Sequence, residues 1–274
     1  MLHYLTPKTM RCLTTGGLGT TLLLALLGGL RAAPRATPPG PSRLVTVQYR
    51  ELVNGYRVRL RWLPREVRDQ YLLGPAIFEF ANPREGITFT LTATYCPLLK
   101  SRVRAEYTSP DSSELRAVQV DTVQLSYRPP GQADAFGSLA EPFRFADLDF
   151  DQRPELLLAE AYQAQRFEPA FRAYAFDDGP NAPAPTALTQ APFDRLDGLT
   201  QLNYRTKTLR IAYSGGACAS RQEVYQPWPR GGAASLRLTQ VVDHQQGAGC
   251  YELVYQVNPA TQQRTLLTKK KLPN

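Results

Sequence analysis

The segment "RLVTVQYRELVNGYRVRLRWL" constrains this chain more than any other stretch. Asn54-Gly55 separates two β-rich runs. Asn-Gly readily takes the left-handed backbone of a two-residue hairpin turn, so the pair is the strongest short hairpin signal available. In the second run Tyr56, Val58, Leu60 and Trp62 fall on one face, while Arg57, Arg59 and Arg61 fall on the other. A strand with one covered and one wet face explains that alternation. "AIFEFANPREGITFTLTATY" repeats the device around a turn at Asn82-Pro83, and "AVQVDTVQLSY" reads as a further strand. "PREVRDQY" reads as a short helix. Residues 43–128 are therefore expected to form an antiparallel, sandwich-like β domain.

The chain before this domain reads differently. Lys8 and Arg11 precede an uncharged stretch centred on "TTLLLALLGGL", followed by small residues Ala32 and Ala33. Positive start, short apolar centre and small-residue exit describe a secretory signal peptide over residues 1–33. Its apolar part, Leu22 to Leu30, is shorter than the ~20 residues that span a bilayer. The expected product is exported, periplasmic or extracellular, with no transmembrane anchor after cleavage. Residues 34–42, "PRATPPGPS", read as a Pro-rich tether. Cleavage removes Lys8, Arg11 and Arg31 and no acid, so the formal charge falls from +8 to +5. That positive charge is scattered apart from Lys269, Lys270 and Lys271, which excludes a nucleic-acid footprint.

"RPPGQADAFGS" interrupts the strand pattern and places a linker at 129–138. Beyond it, residues 139–274 carry a repeated hairpin. Tyr174, Tyr225 and Tyr255 each precede a turn rich in Pro, Gly or Asn and a return strand near Leu-Thr. The fold class is thus all-β, with two antiparallel domains, the second built from repeated hairpins in a propeller- or sandwich-like arrangement. Three cysteines remain after cleavage. Cys218 and Cys250 both lie in the last third of the chain beside Gly-rich turns. An oxidising compartment favours a disulfide, and we expect it between these two, with Cys96 free and buried.

The densest charge lies in "FADLDFDQRPELLL". Asp147, Asp149 and Asp151 stand at alternate positions and Glu155 follows. Numbering Asp147 as position 1 puts Asp149 at 3, Asp151 at 5, the Arg153 carbonyl at 7 and Glu155 at 9. Such oxygens suit Ca2+, which takes six to eight of them. The loop departs from an EF-hand because position 12 is Leu158 and no helices flank it. The run resembles the D-x-D-x-D-G-x-x-D-L calcium loops of FG-GAP/VCBS repeats. From Phe143 to Lys271 the chain is similar to exported β proteins carrying one such loop, through "YAFDDG" (Tyr174 to Gly179), "YSGG" (Tyr213 to Gly216) and "VYQPWPRGGAASLRL" (Val224 to Leu238). The resemblance implies Ca2+ as the cofactor. Gln152 stands where that family has glycine, at a position that commonly needs positive φ.

Motifs for catalysis are sparse. His244 is the one histidine after cleavage, and neighbouring Asp243 points to the opposite face of a strand. The usual zinc sites, P-loops and nucleophile elbows have no matching motif, so no catalytic residue is assigned and a non-enzymatic role is expected. A carboxylate-pair glycan hydrolase is a second alternative. The loop Ser214, Gly215 and Gly216 is similar to Ser-Gly loops with which some periplasmic lysozyme inhibitors plug a glycosidase cleft. That likeness implies, as the first alternative, an inhibitor or immunity protein against a lysozyme-like hydrolase. The expected function is an exported calcium-binding β module of the cell envelope, its partner an unidentified protein or an envelope glycan.

Overall fold

A computed structural model describes residues 44–68, 70–103, 122–129, 136, 141–163, 168–176, 184–216, 218–228, 235–247 and 249–273. The expected signal peptide and tether, and most of the expected 129–138 linker, lie outside the described residues. The described residues all fall in one compact unit and are almost entirely strands and the turns between them.

The first sheet contains β1 (Val45–Tyr49), β2 (Arg57–Trp62), β3 (Glu66–Arg68), β4 (Tyr71–Asn82), β5 (Ile87–Leu99) and β6 (Thr122–Leu125). Its order is β3-β4-β2-β1-β6, with β5 also on β4. All pairs are antiparallel except β1 with β6. The Asn54-Gly55 turn forms as expected, both residues at positive φ (50° and 83°). The faces of β2 also follow the sequence, with Val58, Leu60 and Trp62 buried and the arginines exposed. The helix expected in "PREVRDQY" is instead β3, hairpinned onto β4 through Val67 opposite Leu72. A helix that short pays for nucleation with almost no internal hydrogen bonds, whereas the strand gains a ladder. The short helix α1 (Lys100–Val103) follows β5.

The second sheet contains β7 (Phe143–Ala146), β8 (Glu155–Gln163), β9 (Glu168–Ala175), β10 (Thr186–Ala187) and β11 (Leu196–Asp197). The third is a meander of β12 (Gln201–Asn203), β13 (Thr208–Ser214), β14 (Ser220–Pro227), β15 (Leu236–Gln246), β16 (Cys250–Val257) and β17 (Arg264–Lys271). The three tyrosine-led hairpins are present as β9–β10, β14–β15 and β16–β17. Tyr174, Tyr225 and Tyr255 sit opposite Ala187, Leu238 and Leu266. The first of these hairpins belongs to the second sheet and the other two to the third.

The second sheet is the middle layer, which explains its sequence. Successive side chains of a strand point to opposite faces. Leu156 and Leu158 join the core of the first sheet, where Phe78, Phe80, Trp62 and Phe143 also pack. Leu157 and Ala159 join a second core with Leu209, Ile211, Tyr225 and Leu236 of the third sheet. A strand covered on both faces reads as an unbroken apolar run, and "LLLA" (Leu156 to Ala159) is that run. Residues on both sides of the 129–138 segment thus share the first core.

Candidate metal centre

The loop joining β7 to β8 holds the acidic cluster. Between the aspartates stand Leu148 and Phe150, both buried in the second core. The apolar residues pin the loop inward, and the alternation turns the carboxylates the other way. Asp147, Asp149 and Asp151 each offer an oxygen, and these atoms all lie within 4.8 Å of one another. The set can hold a metal ion.

The backbone closes around these carboxylates. Asp147 accepts from the amides of Asp151 (3.1 Å) and Gln152 (3.0 Å). Asp149 also accepts from the Asp151 amide, at 3.2 Å, and Asp151 from the Arg153 amide at 2.8 Å. Aspartates bonding backbone amides a few residues ahead make tight turns without regular structure. Two non-glycine residues take the left-handed backbone there, Phe150 at φ 66° and Gln152 at φ 75°. The glycine position of the resembled loop is therefore left-handed here too. Glutamine occupies it at a cost of roughly 1 kcal/mol, and its amide bond to Asp147 helps offset that cost.

Two further ligands are expected, Glu155 and the Arg153 carbonyl. Glu155 is buried at the start of β8 and accepts from the Leu148 amide at 2.7 Å. It stands outside the cluster of three. Burial pushes its carboxyl up to about 8, reinforced by the charges of Asp149 and Asp151. Arg153, expected through its carbonyl, meets the cluster with its side chain. Its Nε and a terminal nitrogen reach one Asp151 oxygen at 2.9 and 2.8 Å. Burial works against the Asp151 charge, but the Arg153 amide and guanidinium hold that carboxyl below its ordinary value.

Asp149, Asp151 and Glu155 also border a cleft of about 370 Å3 that the sequence did not announce. Its other walls come from the Asn54 turn, the Asn82–Glu85 turn, and the pair Ala175 and Phe176 with Thr186, Leu188 and Gln190. Four segments distant in sequence meet there, so no local pattern could have marked it.

Ser214, Gly215 and Gly216 are exposed at the tip of the β13–β14 hairpin. A Cβ at Gly215 would lie 2.6 Å from the Ala219 carbonyl oxygen, which accepts the Gly215 amide. The turn itself therefore requires that glycine. Cys218 and Cys250 are paired as a disulfide, their Cα atoms 5.4 Å apart, and Cys96 is free and buried. His244 takes its partners from across the sheet. Its Nδ1 meets Ser220 Oγ at 2.7 Å and its Nε2 meets Glu252 at 3.3 Å, while Asp243 faces Arg221. A further polar group ties the second sheet to the third. Arg195 donates to the hydroxyls of Tyr213 (2.7 Å) and Tyr225 (3.0 Å), and Tyr225 donates to buried Glu223 at 2.7 Å.

No protein-family model matches the chain, and no curated protein is similar to it in sequence. Among solved structures, a Xanthomonas type IV secretion system related protein is similar in fold. The match has a TM-score of 0.52 at 10% identity, over 81% of this chain and 93% of that one. At that identity the likeness is one of fold alone.

Proposed function

We propose that the chain is an exported, non-enzymatic β module of the cell envelope that holds one Ca2+ in the loop from Asp147 to Glu155. The convergence of three aspartate oxygens within 4.8 Å carries this reading. Carboxylates are the hard oxygen donors that Ca2+ prefers. Without a cation, each pair repels by about 1 kcal/mol at 4 Å in water, and by more where water is excluded. A bound ion turns that repulsion into attraction and fixes the loop that launches β8. Export is supported by the Cys218–Cys250 disulfide, which belongs to oxidising compartments. An envelope setting is supported by the fold likeness to the secretion-related protein.

The test is a thermal melt in calcium, in magnesium and in chelator. A ligand of the folded state at a hundred times its Kd stabilises by about 2.7 kcal/mol. For a chain of this size that raises Tm by about 5–10 °C. Asp149→Asn should abolish the rise. Identical melting in calcium and chelator would refute the reading.

A further inference from the structure

We propose that the cleft beside the acidic loop is a binding site for a neutral, hydroxyl-rich saccharide unit. This goes beyond the calcium reading, because the groups that carry it belong to the first sheet and not to the aspartate cluster. Its volume of about 370 Å3 falls within the ~300–1,000 Å3 range of small-molecule sites.

Two polar side chains on its wall are more than nine-tenths buried yet incompletely bonded. Asn82, 8% exposed, uses Oδ1 to accept the amides of Arg84 and Glu85 at 3.0 and 3.3 Å. Its Nδ2 has no acceptor among the described residues. Tyr56 is 7% exposed, its ring packed among Phe80, Phe89, Phe145 and Phe176. Its hydroxyl likewise has no partner among the described residues. Both residues line the cleft, and neither atom is sealed away from it, so the amide and the phenol are free to bond whatever enters.

The chemistry of the wall selects the occupant. Glu85, Asp149 and Asp151 line it, and the guanidinium of Arg153 is already engaged with Asp151, so an anion is repelled. An ammonium group suits the carboxylates but cannot accept a hydrogen bond from the Asn82 amide, because it has only donors. A hydroxyl both donates and accepts, and satisfies the carboxylates, the amide and the phenol together. Phe176 and Leu188 supply apolar wall for the C–H face of a sugar ring.

Calorimetric titration with cellobiose, maltose and N,N′-diacetylchitobiose tests this, each in calcium and in chelator. Spermidine and inorganic phosphate serve as the cationic and anionic probes. At least one disaccharide should bind. Tyr56→Phe keeps the ring and Asn82→Asp keeps the turn-forming oxygen. Each should weaken binding about fivefold or more while the fold is retained. The assignment is overturned if none of the disaccharides binds at about 10 mM, if both variants bind as the wild type does, or if only spermidine or phosphate binds. The calcium shift in Tm, read on the same samples, reports on the loop alone. A lost saccharide signal with an intact calcium shift refutes the cleft and leaves the metal reading standing, and the converse refutes the metal reading alone.

Discussion

Glu155 should make the calcium-free protein less stable as pH rises. Its carboxyl ordinarily titrates near 4.5 and is pushed up to about 8 in the folded chain. Between those values the folded state binds more protons than the unfolded state, so stability falls with rising pH. For a single group with these two values, the loss between pH 5 and pH 8 is about 3 kcal/mol. In a chain of this length that corresponds to a drop in Tm of about 6–12 °C. Among the described residues no other shifted group titrates in this window: Asp151 and Glu51 are held low, and Arg144 lies at about 10. Glu155→Gln keeps an oxygen for the Leu148 amide and removes the charge. Thermal melts of wild type and variant in chelator, from pH 5 to pH 8, should show a falling line and a flat one. Calcium should suppress the wild-type slope by compensating the carboxylate. Equal slopes for the two proteins, or wild-type stability rising across the window, would refute the reasoning.

Two further expectations concern the scaffold. The Cys218–Cys250 bridge has a sequence separation of 32 and should contribute about 3–4 kcal/mol by loop closure. Melts of Cys218→Ser/Cys250→Ser, or of wild type in reductant, should then fall by about 6–15 °C, and unchanged melting would show that the bridge is dispensable. Leu157 is fully buried against the third sheet. Leu157→Ala should cost about 2–5 kcal/mol in urea unfolding, and a cost below about 1 kcal/mol would contradict the second core.

Local chemistry was legible in the sequence, and assembly was not. The Asn54-Gly55 turn, the one-sided burial of β2 and the pairing of Cys218 with Cys250 depend on neighbours or on turn residues, and each stands as the residues imply. The aspartate alternation likewise produced a converging cluster, because Leu148 and Phe150 between the acids are drawn into a core. The contact of the Arg153 side chain with Asp151 is not legible in a backbone pattern, because a long side chain folds back on its own loop. Tyr56 and Asn82 looked like ordinary strand and turn residues. Their place in the cleft follows from the second sheet packing on the first, a contact no periodicity encodes.

The sandwiched position of β8 raises a question of register. Where one face is wet, a slip of one residue throws apolar side chains into water, and the pattern polices itself. "LLLA" is apolar toward both cores, so a slipped β8 would still present leucines on each side. The alignment must then be imposed from the ends. At its start Glu155 sits opposite Ala146 and grips the Leu148 amide. Further along, the pairing with β9 breaks step between Ala159 and Ala161. The acidic loop is in this sense the end-stop of a zipper. Whatever orders it also decides which leucine faces which core, so loosening the loop would put misalignment, as well as unfolding, within reach of the chain.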